Sequence, residues 1–360
     1  MEIKSDRTPK ELGYAMPPEW QSHSATLLHW PSNRETWPGE RLKRAENVYI
    51  NIVDILHRFE PVLLFAENSD IAKRAEKRVK EREMNLSRIY IREVPLNDVW
   101  ARDCGPIFIQ KQSNGIPEFA ITDWDYNAWG GKYPPYDDDN RIPQKIAEEF
   151  GIKFFEPGMV QEGGSIDVNG DGVVMTTESV LLNPNRNPDL SKEEIENKLK
   201  GYLGAEKIIW LKNGLKGDDT DGHIDDLCRF TGPNRIVASL PENESDINYP
   251  ALKQNLEILE RSSDKEGNPF QIVILPLPET KIVGTTVDGS EYVPASYANF
   301  YIANGLVLFP LYDERYDDRV LELFQSEFPG YEIRGVVCND LVWGQGSIHC
   351  ITQQLYGINL

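Results

Sequence analysis

The chain has 360 residues, 40% hydrophobic and 27% charged, enough apolar material for a folded core, so intrinsic disorder is not expected. Its formal net charge of −20 disfavours nucleic acid as a partner and leaves cationic ligands, or simple solubility, as readings of the acidity. No apolar run approaches the ~18 residues of a membrane-spanning helix, and the start, Met1-Glu2-Ile3-Lys4-Ser5-Asp6, has no apolar signal core, so a cytoplasmic protein without membrane association is expected.

In chain order, short β-rich runs alternate with charged amphipathic helices. The first unit has Ala25-Thr26-Leu27-Leu28, a predicted helix over 41–57 with Val48, Ile52 and Ile55 on one face, and a strand over 61–65. Later units repeat the theme: a run at 119–122 with a helix over 143–150, one from 172 through 181 with a helix over 191–202, one at 235–238 with a helix over 249–261, and one at 299–302 with a helix over 315–328. Five helices and their strands fill the chain, giving a degenerate repeat of roughly 70 residues. The alternation permits radial repetition about an axis, and equally an open mixed α/β sheet.

Cys104, Cys228, Cys338 and Cys350 show no CxxC spacing, which points to reduced thiols rather than a zinc ribbon or disulfides. Cys350 is the best nucleophile candidate because Gly344-Gln345-Gly346-Ser347 before it lets a substrate approach the backbone. An unperturbed thiol, with a pKa of about 8.5, is mostly protonated at neutral pH and needs activation.

Of the five histidines, His57 is expected at a helix cap or the surface, and His29 in the early strand region. His223 stands out within Gly217-Asp218-Asp219-Thr220-Asp221-Gly222-His223-Ile224-Asp225-Asp226, where an extended backbone would place it and Asp225 on one face. No second histidine stands at metal-ligand spacing, so no metal is expected. Asp103, in Trp100-Ala101-Arg102-Asp103, suits a planar cation whose edge the carboxylate meets and whose face the indole of Trp100 covers. Glu162-Gly163-Gly164 sets another carboxylate beside permissive backbone, and Trp129-Gly130-Gly131 reads as pocket wall or core loop. Asp167-Val168-Asn169-Gly170-Asp171-Gly172 with Glu178 matches the calcium-loop spacing, but Val173-Val174-Met175 after it reads as the second strand of a hairpin.

Taken together, these segments and Met16-Pro17-Pro18-Glu19-Trp20, Leu182-Asn183-Pro184-Asn185-Arg186-Asn187-Pro188 and Pro294-Ala295-Ser296-Tyr297 resemble the agmatine deiminase and bacterial-type (Porphyromonas-type) peptidylarginine deiminase family of the guanidine-modifying pentein superfamily, over some 330 residues. The resemblance implies a five-bladed α/β propeller with pseudo-fivefold symmetry, in which residues 1–360 form a single domain of five ββαβ-type repeats. It implies a hydrolase acting on C–N bonds of linear amidines, converting agmatine to N-carbamoylputrescine and ammonia in polyamine metabolism. By the same resemblance Cys350 attacks the guanidinium carbon to give an S-alkylthiouronium, Asp103 and Asp225 hold the guanidinium nitrogens, and His223, oriented by Glu162, moves protons. Trp100, Trp129, Gly346 and Asp219 are expected around the substrate, a small cationic guanidine, with no metal and no organic cofactor; homo-oligomerisation is left open. The chain departs from the family pattern at Asp219, where Glu is common near the substrate's far amine, and at Cys104, where Thr is usual. Peptidyl-arginine or another alkylguanidine is the alternative substrate, and a non-catalytic pentein-like binding or assembly factor the alternative of another class.

Overall fold

The computed structural model describes residues 7–360; the opening segment read above for an export signal lies outside the described residues. Five small sheets recur, and four share one connectivity: an antiparallel hairpin, a helix, and a third strand parallel to the second. The hairpin Ile107–Ser113/Ile116–Thr122 is followed by the helix Ile142–Phe150 and the strand Lys153–Phe155. Next come Asp167–Val168/Val173–Thr177 with Lys192–Leu203 and Lys207–Leu211, then Cys228–Gly232/Arg235–Ser239 with Tyr249–Glu260 and Gln271–Leu275. The last is Tyr301–Ala303/Leu306–Leu311 with Asp317–Glu327 and Glu332–Val337. A parallel pair needs a crossover, and in each unit the amphipathic helix supplies it.

The remaining sheet joins the two ends of the chain. Ala25–His29 and Val62–Ala66 run parallel across the helix Arg41–Leu56, and the C-terminal strand Gln353–Leu355 pairs antiparallel with the first, Ala25 opposite Leu355. That strand takes the place of the hairpin partner, so the first unit is completed by the last residues of the sequence.

Both first-unit strands are buried throughout, Val62–Ala66 as an unbroken apolar run and Ala25–His29 with Thr26 and His29 buried among its apolar residues, and Ala45, Val48, Tyr49, Ile52, Val53 and Leu56 form the buried face of the helix. His57 ends this helix with Nδ1 3.1 Å from the Val53 carbonyl and is buried, which excludes the surface reading. The expectation of five helices needs correcting. A sixth long one, Ser69–Glu81, is capped by Asn68 and precedes a third parallel strand, Ile89–Glu93. Its sequence is so heavily charged that only Ile71, Ala75 and Val79 mark an apolar stripe. Among the described residues, no helix is long and apolar enough to cross a membrane.

Candidate active site

The segments expected to carry the chemistry occupy equivalent places in the repeat. Each sits in the turn just before the first strand of a unit: Asp103 before Ile107, Glu162 before Asp167, His223 and Asp225 before Cys228, and Cys350 before Gln353. The fifth such place, before Tyr301, holds Asn299. Repetition of the fold thus gathers one segment from every unit, although the residues lie up to 247 positions apart in the chain, as Arg102 and His349 do.

Asp103 lies within the helical turn Ala101–Cys104 and is buried. One oxygen accepts the Gly164 backbone N–H at 3.0 Å, and the other accepts the Trp129 indole N–H at 2.9 Å. Burial pushes this carboxyl up to about 6; His223 draws it down, while Asp225 and Glu162 add to the rise. Glu162 is held on Oε1 by the Arg186 guanidinium, whose Nη1 reaches Asp221 at 2.7 Å, and Glu162 Oε2 has no hydrogen-bond partner among the described residues. Arg186 thereby ties the Glu162 turn to the loop leading into His223.

That loop takes two left-handed residues, Asp221 at φ 71° and Gly222 at φ 111°. A side chain on Gly222 would come within 2.6 Å of Ser179 Oγ and 2.7 Å of the Gly214 nitrogen, so glycine is required there. His223 itself is extended, but Ile224–Asp226 is a 3-10 turn rather than a continuing strand. The two-residue alternation expected for His223 and Asp225 therefore does not apply, yet the turn still directs both side chains to one centre. A methyl group placed on Gly164 would lie 2.6 Å from His223 Nδ1, 2.7 Å from Asp103 Oδ1 and 3.0 Å from Asp225 Oδ2.

Cys350, 4% exposed, closes the ring. Its Sγ lies 3.7 Å from Asp225 Oδ2 and accepts the Asn299 amide N–H at 3.2 Å. Asn299 is anchored by the His349 N–H on its oxygen at 2.9 Å, while its NH2 reaches Asp226 at 3.0 Å. Sequence reasoning missed Asn299; it stands beside the Pro294-Ala295-Ser296-Tyr297 motif, and the signal that finds it is its place in the repeat.

The electrostatics favour an incoming cation. Burial pushes the Cys350 thiol well above its ordinary range, and Asp225, Asp226 and Asp103 push it further, so without a cation it is protonated at neutral pH. For His223, burial opposes the charged form, but Asp103, Glu162, Asp225 and Asp218 outweigh it and raise the imidazole. His223 Nδ1 and Nε2, Glu162 Oε2 and Asp225 Oδ1 are all buried without a hydrogen-bond partner among the described residues.

Around this centre, Trp100 packs edge-to-face on Trp129 with ring centroids 6.2 Å apart, and a methyl on Gly346 would fall 2.3 Å from Trp100 and 3.0 Å from Cys350 Cβ. Asp219 lies on the loop before His223, where its oxygens accept from the Tyr133 hydroxyl and from the Val287 N–H at 2.7 Å.

Two other clusters are internal wiring. Asp167 Oδ2 accepts the Phe230 N–H at 2.6 Å, and Glu178 pairs with Lys192 and Lys212, so the calcium-loop spacing is spent on a hairpin and surface ion pairs. His29, Cys104 and Asp139 place ligating atoms within 4.8 Å of one another. Both Asp139 oxygens already accept backbone N–H groups, from Asn97 at 2.8 Å and Asp98 at 3.0 Å, and Cys104 donates to the Trp100 carbonyl.

Comparison with known proteins converges on one family. Residues 15–355 match the model of the Porphyromonas-type peptidyl-arginine deiminases. A Legionella pneumophila (strain Paris) protein provisionally named an agmatine deiminase is 38% identical over 350 residues, covering 96% of each chain. The agmatine deiminase of Enterococcus faecalis superposes with a TM-score of 0.90 at 33% identity, over 98% of both chains. A cysteine-to-serine variant of the C. jejuni agmatine deiminase, solved with substrate bound, gives 0.83 at 30% identity, over 96% of this chain and 97% of that one. The five repeated sheets are thus the blades of an α/β propeller of the pentein type, and the chain belongs to the Porphyromonas-type peptidyl-arginine deiminase family, hydrolases that deiminate guanidines.

Proposed function

We propose that this protein hydrolyses agmatine to N-carbamoylputrescine and ammonia through a covalent intermediate on Cys350. The observation that carries this reading is the set of buried acceptors on Asp225 and Glu162, without partners among the described residues, around a thiol that burial and then anionic neighbours keep protonated. A planar cation bearing N–H donors satisfies the carboxylates and lowers the thiol's proton affinity together, whereas a neutral amide does neither. Asp103 and Asp225 grip the guanidinium, the Cys350 thiol releases its proton to solvent as the cation binds, and the resulting thiolate sulfur bonds to the guanidinium carbon. His223 gives its proton to the departing nitrogen, ammonia leaves, and an S-alkylthiouronium remains. His223 then takes one proton from water, whose oxygen bonds to the same carbon; the C–S bond breaks as the remaining hydroxyl proton passes to the sulfur, which releases the ureido product and restores the thiol. Neither a metal nor an organic cofactor has a step to perform. Asn299 donates to the sulfur throughout.

A small free guanidine is favoured over peptidyl-arginine because the site is covered: Cys350 is almost inaccessible, and the segment bearing Val287 is tied across to Asp219. Asp219 is the acidic group for the far amine, reached through a water if the shorter side chain falls short. The reaction would run in the cytoplasm as part of polyamine metabolism. The test is to incubate the protein separately with agmatine, free arginine and an arginyl peptide, measuring ammonia and ureido product. Turnover of agmatine well above the other two supports the reading; turnover of no guanidine overturns it.

A pH dependence follows from Asp103. Because its carboxyl titrates at about 6, it takes up a proton as pH falls through that value and loses its hold on the cation. Below pH 6 this protonation is expected to add a loss of about tenfold per unit to the kcat/KM for agmatine. A profile flat down to pH 4.5 would remove Asp103 from the guanidinium.

A further inference from the structure

Two residues with no part in the reaction above converge beneath it. His349 precedes the nucleophile, and Glu19 belongs to the segment Pro17-Pro18-Glu19-Trp20, far away in sequence. The His349 ring spans two carboxylates, Nδ1 lying 2.7 Å from Asp225 Oδ2 and Nε2 2.8 Å from Glu19 Oε2. An ionised carboxylate only accepts, so a ring facing one on each side needs an N–H on both nitrogens, which is the imidazolium. Glu19 is itself fixed from several sides: Arg102 reaches Oε2 at 3.2 Å, and Arg229 at 3.0 Å and the Ile302 N–H at 2.8 Å reach Oε1. Burial alone would raise the Glu19 carboxyl, but Arg229, His349 and Arg102 hold it well below the usual carboxylate range. Asp167 completes the set, 3.5 Å from Arg229.

We infer that His349, held by Glu19, is the positioning residue for Asp225, turning Oδ2 toward the imidazolium and the thiol and leaving Oδ1 to face the guanidinium. Asp225 Oδ2 takes the His349 bond and lies beside Cys350 Sγ, whereas Oδ1 is buried with no partner among the described residues. The bond to His349 thus decides which oxygen meets the substrate, and its charge keeps Asp225 ionised among like-charged Asp103 and Asp226. Glu19 also contacts groups from three other units (Arg102, Arg229 and Ile302), which makes the N-terminal segment part of the active site's underside.

This inference rests on the deiminase reading, so the experiment first requires agmatine turnover by the unaltered protein; failure there sinks the function and not the positioning role. With turnover in hand, His349→Gln is expected to lower kcat/KM by about 10- to 100-fold, the worth of one charge-assisted hydrogen bond, with most of the loss in KM. In a Cys350→Ser background, where substrate binds without turnover, His349→Gln should weaken agmatine binding by a similar factor. Glu19→Gln changes charge without changing volume; it should cost about tenfold and steepen the acid limb of kcat/KM below the Asp103 step, because Asp225 loses support for its ionised form. A purely structural role predicts lower melting temperatures with agmatine affinity and the pH profile unchanged, and that result overturns the inference. If His349→Gln does not fold, the affinity and pH profile of Glu19→Gln decide alone.

Discussion

Cys350→Ser should leave a folded protein with a melting temperature within a few degrees of the parent, and agmatine turnover reduced by about 10⁴-fold or more. The substitution exchanges sulfur for oxygen at nearly constant shape, so the Asn299 N–H keeps an acceptor and the surrounding carboxylates keep their places. What is lost is ionisation. A cation in the site can bring a thiol within reach of neutral pH, but a serine hydroxyl has far higher proton affinity and no base sits against it: His223 Nδ1 is directed to Asp103, 3.6 Å away. The other three cysteines are buried and their thiols are likewise pushed up by burial, so none replaces Cys350. Ammonia release measures the loss, and agmatine should still bind the variant. Turnover within tenfold of the parent would mean that sulfur is not the nucleophile.

The order of helices and strands was legible because most units advertise themselves: a buried β-branched run, then a helix with a 3.6-residue stripe. Ser69–Glu81 escaped because Lys, Arg and Glu dilute its stripe to three residues and its N-cap, Asn68, is an ordinary loop residue. The fully buried ionic residues were harder. Glu19, Arg186 and Arg229 look like surface charges in sequence, and only the fold shows each neutralised by partners more than 20 residues away. Asn299 was hidden for another reason: the strand expected at 299–302 begins two residues later, at Tyr301, which leaves Asn299 in the turn that faces the sulfur. The acidic loop at 217–226 drew attention by its composition, but its geometry was not legible. A 3-10 turn, enabled by left-handed Asp221 and Gly222, brings His223 and Asp225 together where strand alternation had been expected to.

Gly164→Ala separates the geometry of the centre from the chemistry of its members. No catalytic side chain is changed, and Gly164 is not among the left-handed glycines, so alanine is compatible with its backbone and the variant is expected to fold. The added methyl would nevertheless lie 2.6 Å from His223 Nδ1, 2.7 Å from Asp103 Oδ1 and 3.0 Å from Asp225 Oδ2, all closer than carbon contacts allow. At least one of the three must move by several tenths of an ångström, and the Gly164 N–H that holds Asp103 at 3.0 Å moves with it. Displacements of that size at reacting groups cost about 100-fold or more, so kcat/KM for agmatine should fall at least that far with a modest change in melting temperature. Gly163→Ala provides the contrast, because its methyl would meet the Arg102 backbone carbonyl at 2.1 Å and should reduce stability before it reduces the turnover of folded molecules. If Gly164→Ala retained activity within threefold of the parent, the space between Asp103, His223 and Asp225 would not be where the guanidinium is held, and the acceptors left unpartnered there would need another occupant.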